Sequence, residues 1–161
     1  MGFVSKLLGK KLDEIGAPVA GEAIASSEVN DPTFAEEMLG KGMAIRPASG
    51  RVVAPCDATV DMMFETGHAV SLTADNGAEL LIHVGIDTVN LQGKHFTVHA
   101  AAGEKVKKGQ LLIEFDREAI AAAGYDTVTP VVLCNSDDFA TVEAVTGKTV
   151  AEGDAVLRIG K

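Results

Sequence analysis

Apolar and polar positions follow two different rhythms along this chain. At the start, Phe3, Leu7, Leu8, Leu12 and Ile15 recur at helical spacing, with Lys6, Lys10 and Lys11 between them. This predicts a short basic amphipathic helix, a leader over residues 1–15. From Gly16 onward the apolar runs are short and are broken by glycine, proline, aspartate and asparagine, the pattern of strands joined by tight turns. Gly103-Glu-Lys-Val106-Lys-Lys-Gly109 leads into Gln-Leu-Leu-Ile-Glu-Phe115, and Gly147-Lys-Thr-Val150-Ala-Glu-Gly153 leads into Asp-Ala-Val-Leu-Arg-Ile159, at an offset of 44. Ala17-Pro18-Val-Ala-Gly21 likewise echoes Ala54-Pro55-Cys-Asp-Ala58. These echoes predict duplicated hairpin units in an all-β, antiparallel sandwich or jelly-roll-like barrel over residues 16–161. Only two short helices are expected. One spans Phe34 to Leu39, after Asp31-Pro32; the other spans Arg117 to Ala123 and ends at Gly124.

Composition narrows the reading. A chain of 161 residues, 47% hydrophobic, suffices for one domain with its own core. The net charge of −9 repels nucleic-acid backbones and favours basic protein partners. There is no apolar run of the roughly 20 residues a membrane helix needs, and the lysine-bearing start lacks the apolar stretch of a signal peptide. A cytoplasmic protein is expected, its residues 1–15 either touching anionic lipid weakly or fraying. Cys56 and Cys134 are expected as reduced thiols, and without a CxxC they form no cysteine zinc site.

The chemistry gathers around two of the four histidines. His68 and His83 flank Ala74-Asp75-Asn76-Gly77-Ala78, and Asn-Gly signals a two-residue hairpin loop. With Asp75 opposite Ala78, His68 faces Gly85 and His83 faces Val70. The two histidines then share a face as diagonal neighbours, roughly 7–8 Å apart at the backbone. An odd loop length would separate them. Gly85, opposite His68, would leave space beside His83, and Thr66 would orient a ring. Two adjacent imidazoles suit phosphoryl transfer: one neutral ring attacks, and the other hydrogen-bonds the transferred group. Zinc is an alternative, but two histidines make half a site, and Asp87 along a strand lies about 13 Å from His83. Two purely structural histidines are a third reading. The residues require neither metal nor cofactor.

Gly77-Ala-Glu-Leu-Leu-Ile-His83-Val-Gly85-Ile-Asp87-Thr88-Val89 resembles the signature around the phosphorylated histidine of the glucose-type enzyme IIA of the bacterial sugar phosphotransferase system. Further matching pieces are Ala17-Pro18-x-x-Gly21, Asp31-Pro-Thr-Phe34-Ala-Glu, Gly42-x-Ala-Ile45-x-Pro47, Phe64-Glu-Thr66-Gly-His68-Ala, Ile113-Glu-Phe115-Asp116 and Thr129-Pro130-Val-Val.

The resemblance implies a β-sandwich whose His83 accepts a phosphoryl group from the histidine-containing phosphocarrier protein and passes it to a cysteine of the IIB domain of a sugar permease. It implies that His68 stabilises the phosphoryl group, that Thr66 hydrogen-bonds within the pair, and that the Gly85 carbonyl holds the His83 ring. It places Asp31 and Asp87 at the rim, and Phe34, Met38, Leu39 and Phe64 on an apolar docking surface. A monomer is expected, because that surface must stay open. A regulatory module that docks on target proteins without turning over phosphate is the alternative, and a zinc hydrolase of related sandwich fold a remoter one. Cys56 and Ala58 depart from the family's turn, and His95 and His99 match no motif and are expected at the surface.

Overall fold

A computed structural model of the protein describes residues 12–161. Its strands are β1 (Asp13–Gly16), β2 (Gly21–Ala25), β3 (Lys41–Pro47), β4 (Arg51–Val53), β5 (Ala58–Met63), β6 (Ala69–Ala74) and β7 (Glu79–His83), followed by β8 (Phe96–Val98), β9 (Lys105–Val106), β10 (Leu111–Phe115), β11 (Thr129–Leu133), β12 (Thr141–Ala144), β13 (Lys148–Val150) and β14 (Ala155–Gly160). Among the described residues two short α-helices interrupt them, α1 (Pro32–Ala35) and α2 (Arg117–Ala122), together with three 3-10 turns at Ser26–Glu28, Thr88–Leu91 and Ser136–Asp138. Both α-helices start where the sequence signals a start, at Asp31 and Asp116, whose carboxylates accept the Thr33 and Ala119 amides. Past α2, Gly124 takes φ +95° and ends the turn. None of the helices of the described residues is long and apolar enough to cross a membrane.

All strand pairings are antiparallel. An eight-stranded sheet runs β13-β2-β3-β11-β7-β6-β5-β9, and two three-stranded sheets run β1-β14-β12 and β4-β10-β8. The order of the large sheet reads the same from either end once β13 is matched with β9, β2 with β5, β3 with β6, and β11 with β7. The two small sheets match each other likewise. The echoes in the sequence are this duplication. Gly153 N–H donates to the Ala17 carbonyl, and Gly109 N–H donates to the Ala54 carbonyl. The halves also clasp each other reciprocally: Gly16 N–H donates to the Pro55 carbonyl at 2.9 Å, and Val53 N–H to the Pro18 carbonyl at 2.7 Å.

One apolar core joins all three sheets. Ile15 and Leu157 enter from one small sheet, Val52 and Ile113 from the other, and Met43, Leu72, Leu80, Ile82 and Leu133 from the large one. Ile15 therefore belongs to β1 and the core, so the domain begins within the expected leader rather than after it. The rest of the expected amphipathic helix, residues 1–11, lies outside the described residues. Both cysteines are free thiols.

The outer face of the large sheet carries a second apolar cluster: Ile24, Val29, Phe34, Ala44, Val128 and Val132, with Leu81 and Ile86 packed against it. α1 sets Phe34 over this face. Strand β7 is thus covered on both sides, with Leu80 and Ile82 turned to the main core and Leu81 outward, as strand alternation requires.

The β6–β7 hairpin differs from the expected register. Ala69 lies opposite His83 and Val70 opposite Ile82, a shift of one residue. The loop has three residues, Asp75 to Gly77, closed by Ala74 N–H donating to the Ala78 carbonyl at 2.8 Å. A two-residue type I′ loop needs positive φ at both central residues, yet here Gly77 alone adopts it, at +93°. The Asn76 side chain instead accepts the Ala78 amide at 3.0 Å, the Asx-turn use of asparagine.

Ile82 is fully buried on a strand paired on both edges. Truncating it to alanine should cost about 2–5 kcal/mol of unfolding free energy, measured by urea denaturation. A loss below about 1 kcal/mol would contradict the assignment of this strand to the centre of the core.

Candidate functional site

The two histidines meet where the β6–β7 ladder ends. His83 is the last residue of β7, on the outward side with Leu81. His68 stands one position before β6, and its carbonyl accepts the Val84 amide at 2.6 Å. Their ring centroids are 5.0 Å apart, with planes at 80°. With the observed register, strict alternation would send the side chains to opposite faces. The rings nevertheless meet, because His68 lies outside the strand and alternation no longer constrains it. Just before it, Phe64 to Gly67 form a turn in which Gly67 N–H donates to the Phe64 carbonyl and Gly67 takes φ +71°. The prediction of adjacent rings holds, and its hairpin derivation does not.

The tautomer of His83 follows from its partner. Nδ1 lies 2.7 Å from the Gly85 carbonyl oxygen. A carbonyl only accepts, so Nδ1 carries the proton and donates, leaving the Nε2 lone pair free whenever the ring is neutral. Burial pushes the His83 pKa below its ordinary value, against opposing pulls from the Gly85 hydrogen bond and from Asp31 and Asp87. His68 is 4% exposed. Burial first, and His83 second, lower its pKa to about 4. Thr66 Oγ1 lies 2.5 Å from His68 Nδ1, so the threonine does hold this ring. The site therefore sets two uncharged imidazoles side by side at pH 7, with the tautomer of His83 imposed.

The Gly85 carbonyl holds the His83 ring as expected, but the residue's missing side chain serves another purpose than the expected one. Gly85 does not face His68, and the space its missing side chain leaves is not beside His83. A Cβ there would stand 2.5 Å from the Thr88 methyl carbon and 2.9 Å from the Asp126 carbonyl oxygen, on a backbone at φ +78°. Asp87 likewise does not continue an extended strand from His83. The chain turns at Gly85, Asp87 itself takes φ +60°, and its carboxylate acts on His83 electrostatically. Among the described residues no three His, Cys, Asp or Glu side chains are grouped to hold a metal ion.

The expected docking residues divide into walls and surface. Phe34 is 7% exposed, so it offers a partner little area; its ring packs 5.2 Å from that of His83. Half-buried Phe64 sets its ring edge-on to His68, also at 5.2 Å. Met38 and Leu39, in the turn after α1, are exposed apolar side chains, and Asp31 caps that helix. Val89, two residues past Asp87, is also an exposed apolar residue. It stood in the quoted motif, but exposure is not readable from a motif. Away from the pair, exposed His99 bonds Glu114 at 2.6 Å, as a surface residue can. His95 is only half exposed and holds φ +78° while its carbonyl accepts the Asp116 amide, so it serves a loop.

The lowered pKa values carry a sign. Because His68 titrates lower folded than unfolded, acid protonates the unfolded chain first. Its contribution to stability is complete above pH 6.5 and is lost as the pH falls toward about 4. The loss should be on the order of 3 kcal/mol, read from urea midpoints across that range, and His68→Gln should flatten most of the slope. A wild-type profile flat from pH 6.5 to 4 would contradict the neutral, buried ring.

The family described as the phosphoenolpyruvate-dependent sugar phosphotransferase system, EIIA 1, matches residues 13–139. A β-glucoside-specific EIIBCA component from Dickeya chrysanthemi is 54% identical over 129 residues, 80% of this chain and 20% of that protein. The chain spans about a fifth of the length of such EIIBCA relatives. A glucose-specific EIIA component from Haemophilus influenzae is 38% identical over the whole of both chains. Among solved structures, glucose permease IIA from Mycoplasma capricolum superposes with a TM-score of 0.85 at 32% identity, covering 93% of this chain and 97% of that one. The histidine pair therefore sits in a β-sandwich that belongs to the EIIA 1 family of the phosphoenolpyruvate-dependent sugar phosphotransferase system.

Proposed function

We propose that this domain is a phosphocarrier: His83 Nε2 takes a phosphoryl group from the histidine-containing phosphocarrier protein and yields it to a cysteine of a IIB domain. The observation that carries the reading is the bond from His83 Nδ1 to the Gly85 carbonyl, which commits the ring to one tautomer beside a second neutral imidazole.

The Nε2 lone pair attacks phosphorus, and the donor's P–N bond breaks with its electron pair left on the donor ring. The phosphorylated ring carries positive charge with Nδ1–H still in place, and the Gly85 carbonyl dipole stabilises it. His68, with Nδ1 accepting from the Thr66 hydroxyl, offers Nε2–H to the phosphoryl oxygens. In the outward step a cysteine thiolate attacks phosphorus, an S–P bond forms, and the P–Nε2 bond returns its pair to the ring. Little further chemistry is needed, because phosphoryl transfer rests on positioning and charge stabilisation.

The exposed Met38, Leu39 and Val89, with Asp31 and Asp87 near His83, suit brief docking that excludes water from the phosphohistidine and then releases. The relatives support the IIB partner, since their names place IIB, IIC and IIA in one chain. Relatives named for β-glucosides and for glucose share this domain, which favours sugar choice residing outside it.

The test supplies phosphoenolpyruvate, enzyme I and the phosphocarrier protein, reads the adduct by intact mass, and chases it with a IIB domain. Wild type should gain one acid-labile phosphoryl group and lose it to IIB. His83→Gln should gain none. His68→Gln should be labelled but pass the group on at least about 10-fold more slowly. A wild-type protein that stays unlabelled beside an active phosphocarrier would refute the reading.

A further inference from the structure

His83 keeps its tautomer only if the Gly85 carbonyl stays aimed at Nδ1, and Gly85 is a glycine at φ +78°, free to rotate unless something restrains it. The restraint is visible plane by plane. In the Gly85–Ile86 peptide, the carbonyl accepts from His83 Nδ1 at one end, and the Ile86 amide donates to the Asp126 carbonyl at 3.0 Å at the other. In the preceding Val84–Gly85 peptide, the Gly85 amide donates to the Val128 carbonyl at 2.9 Å. The Val84 carbonyl accepts the hydroxyl of Thr88 at 2.5 Å. Both peptide planes are thus pinned at both ends.

Of the four pins, two are backbone carbonyls of the Asp126–Val128 segment and one is the reacting histidine itself. The fourth is the side chain of Thr88. It is fully buried, and its methyl carbon occupies the place a Gly85 Cβ would take. The left-handed turn at Asp87, at φ +60°, brings it back over Val84.

We infer that Thr88 is a positioning residue: its hydroxyl locks the Val84–Gly85 peptide so that the Gly85 carbonyl holds His83 with Nε2 free. The inference deepens the phosphocarrier reading and rests on Nε2 being the acceptor. Thr88 itself touches neither the phosphoryl group nor a partner. It acts through the peptide, and its removal should change the population of reactive rings rather than the ring's surroundings.

The test compares two pairs of proteins, each of the whole 161-residue chain, that differ only in the hydroxyl: wild type with Thr88→Val, and Thr88→Ser with Thr88→Ala. Imidazole nitrogen signals of the unphosphorylated proteins, read by nitrogen–proton NMR, report the His83 tautomer. Phosphorylation rates are read by intact mass. Wild type and Thr88→Ser should keep a single Nδ1–H tautomer. Thr88→Val and Thr88→Ala should show mixed tautomers and accept phosphate more slowly, by up to about 100-fold. The inference is overturned if the hydroxyl-free variants fold and keep both the tautomer and the rate, or if Thr88→Ser fails along with Thr88→Ala. Should Thr88→Val not fold, the Ser–Ala pair decides alone. The tautomer is measured without phosphate, so a wild-type protein that accepts no phosphoryl group would defeat the phosphocarrier reading while the NMR comparison still judged Thr88.

Discussion

The bond from His83 Nδ1 to the Gly85 carbonyl exists because the chain leaves the sheet right after β7. Inside a ladder, a carbonyl two residues on would be occupied by a neighbouring strand. At Gly85 the backbone turns to a left-handed conformation, and that carbonyl swings back onto the ring. Everything chemical in the site follows from this exit. The imposed tautomer leaves one nitrogen free, burial keeps the ring neutral, and the neighbouring strand's own exit at His68 brings the second imidazole within contact.

The duplicated architecture explains why such a site is rigid enough for its work. Two similar halves clasp through reciprocal bonds between Gly16 and Pro55 and between Val53 and Pro18. Strands β7 and β11 then form the central pair of the large sheet, β11 buried at every position and β7 on its core side. A histidine at the end of a central strand is held by a strand paired on both edges, while its ring still reaches the surface.

Burial and acidity work against each other here in a useful way. Desolvation disfavours a charged His83, and the carboxylates of Asp31 and Asp87 partly offset it. His68 has no such compensation and stays far from protonation at neutral pH. The pair thus divides into a ring whose positive charge nearby carboxylates would favour and a ring that stays neutral.

Much of this was legible in the amino-acid order. Turn chemistry, strand-length apolar runs and the repeated Gly-x-x-Val-x-x-Gly segments determined an antiparallel β domain built from duplicated units, because glycine at positive φ and period-two patterning are local properties. Asp31, Asp116 and Gly124 marked their helix ends for the same reason. The residues that gather at the site were legible too, as residue types: His68, His83, Thr66 and Gly85. Their arrangement was not. Asn76-Gly77 fits both a two-residue and a three-residue loop, and the one-residue difference reverses faces along β6. Only the tertiary structure decided that the rings meet where strand alternation has stopped, that Gly85 makes room for Thr88 rather than for a ligand, that Phe34 is a wall rather than a surface, and that Ile15 belongs to the core. Each depends on where distant segments pack, and pair packing across the fold leaves no local mark in the sequence.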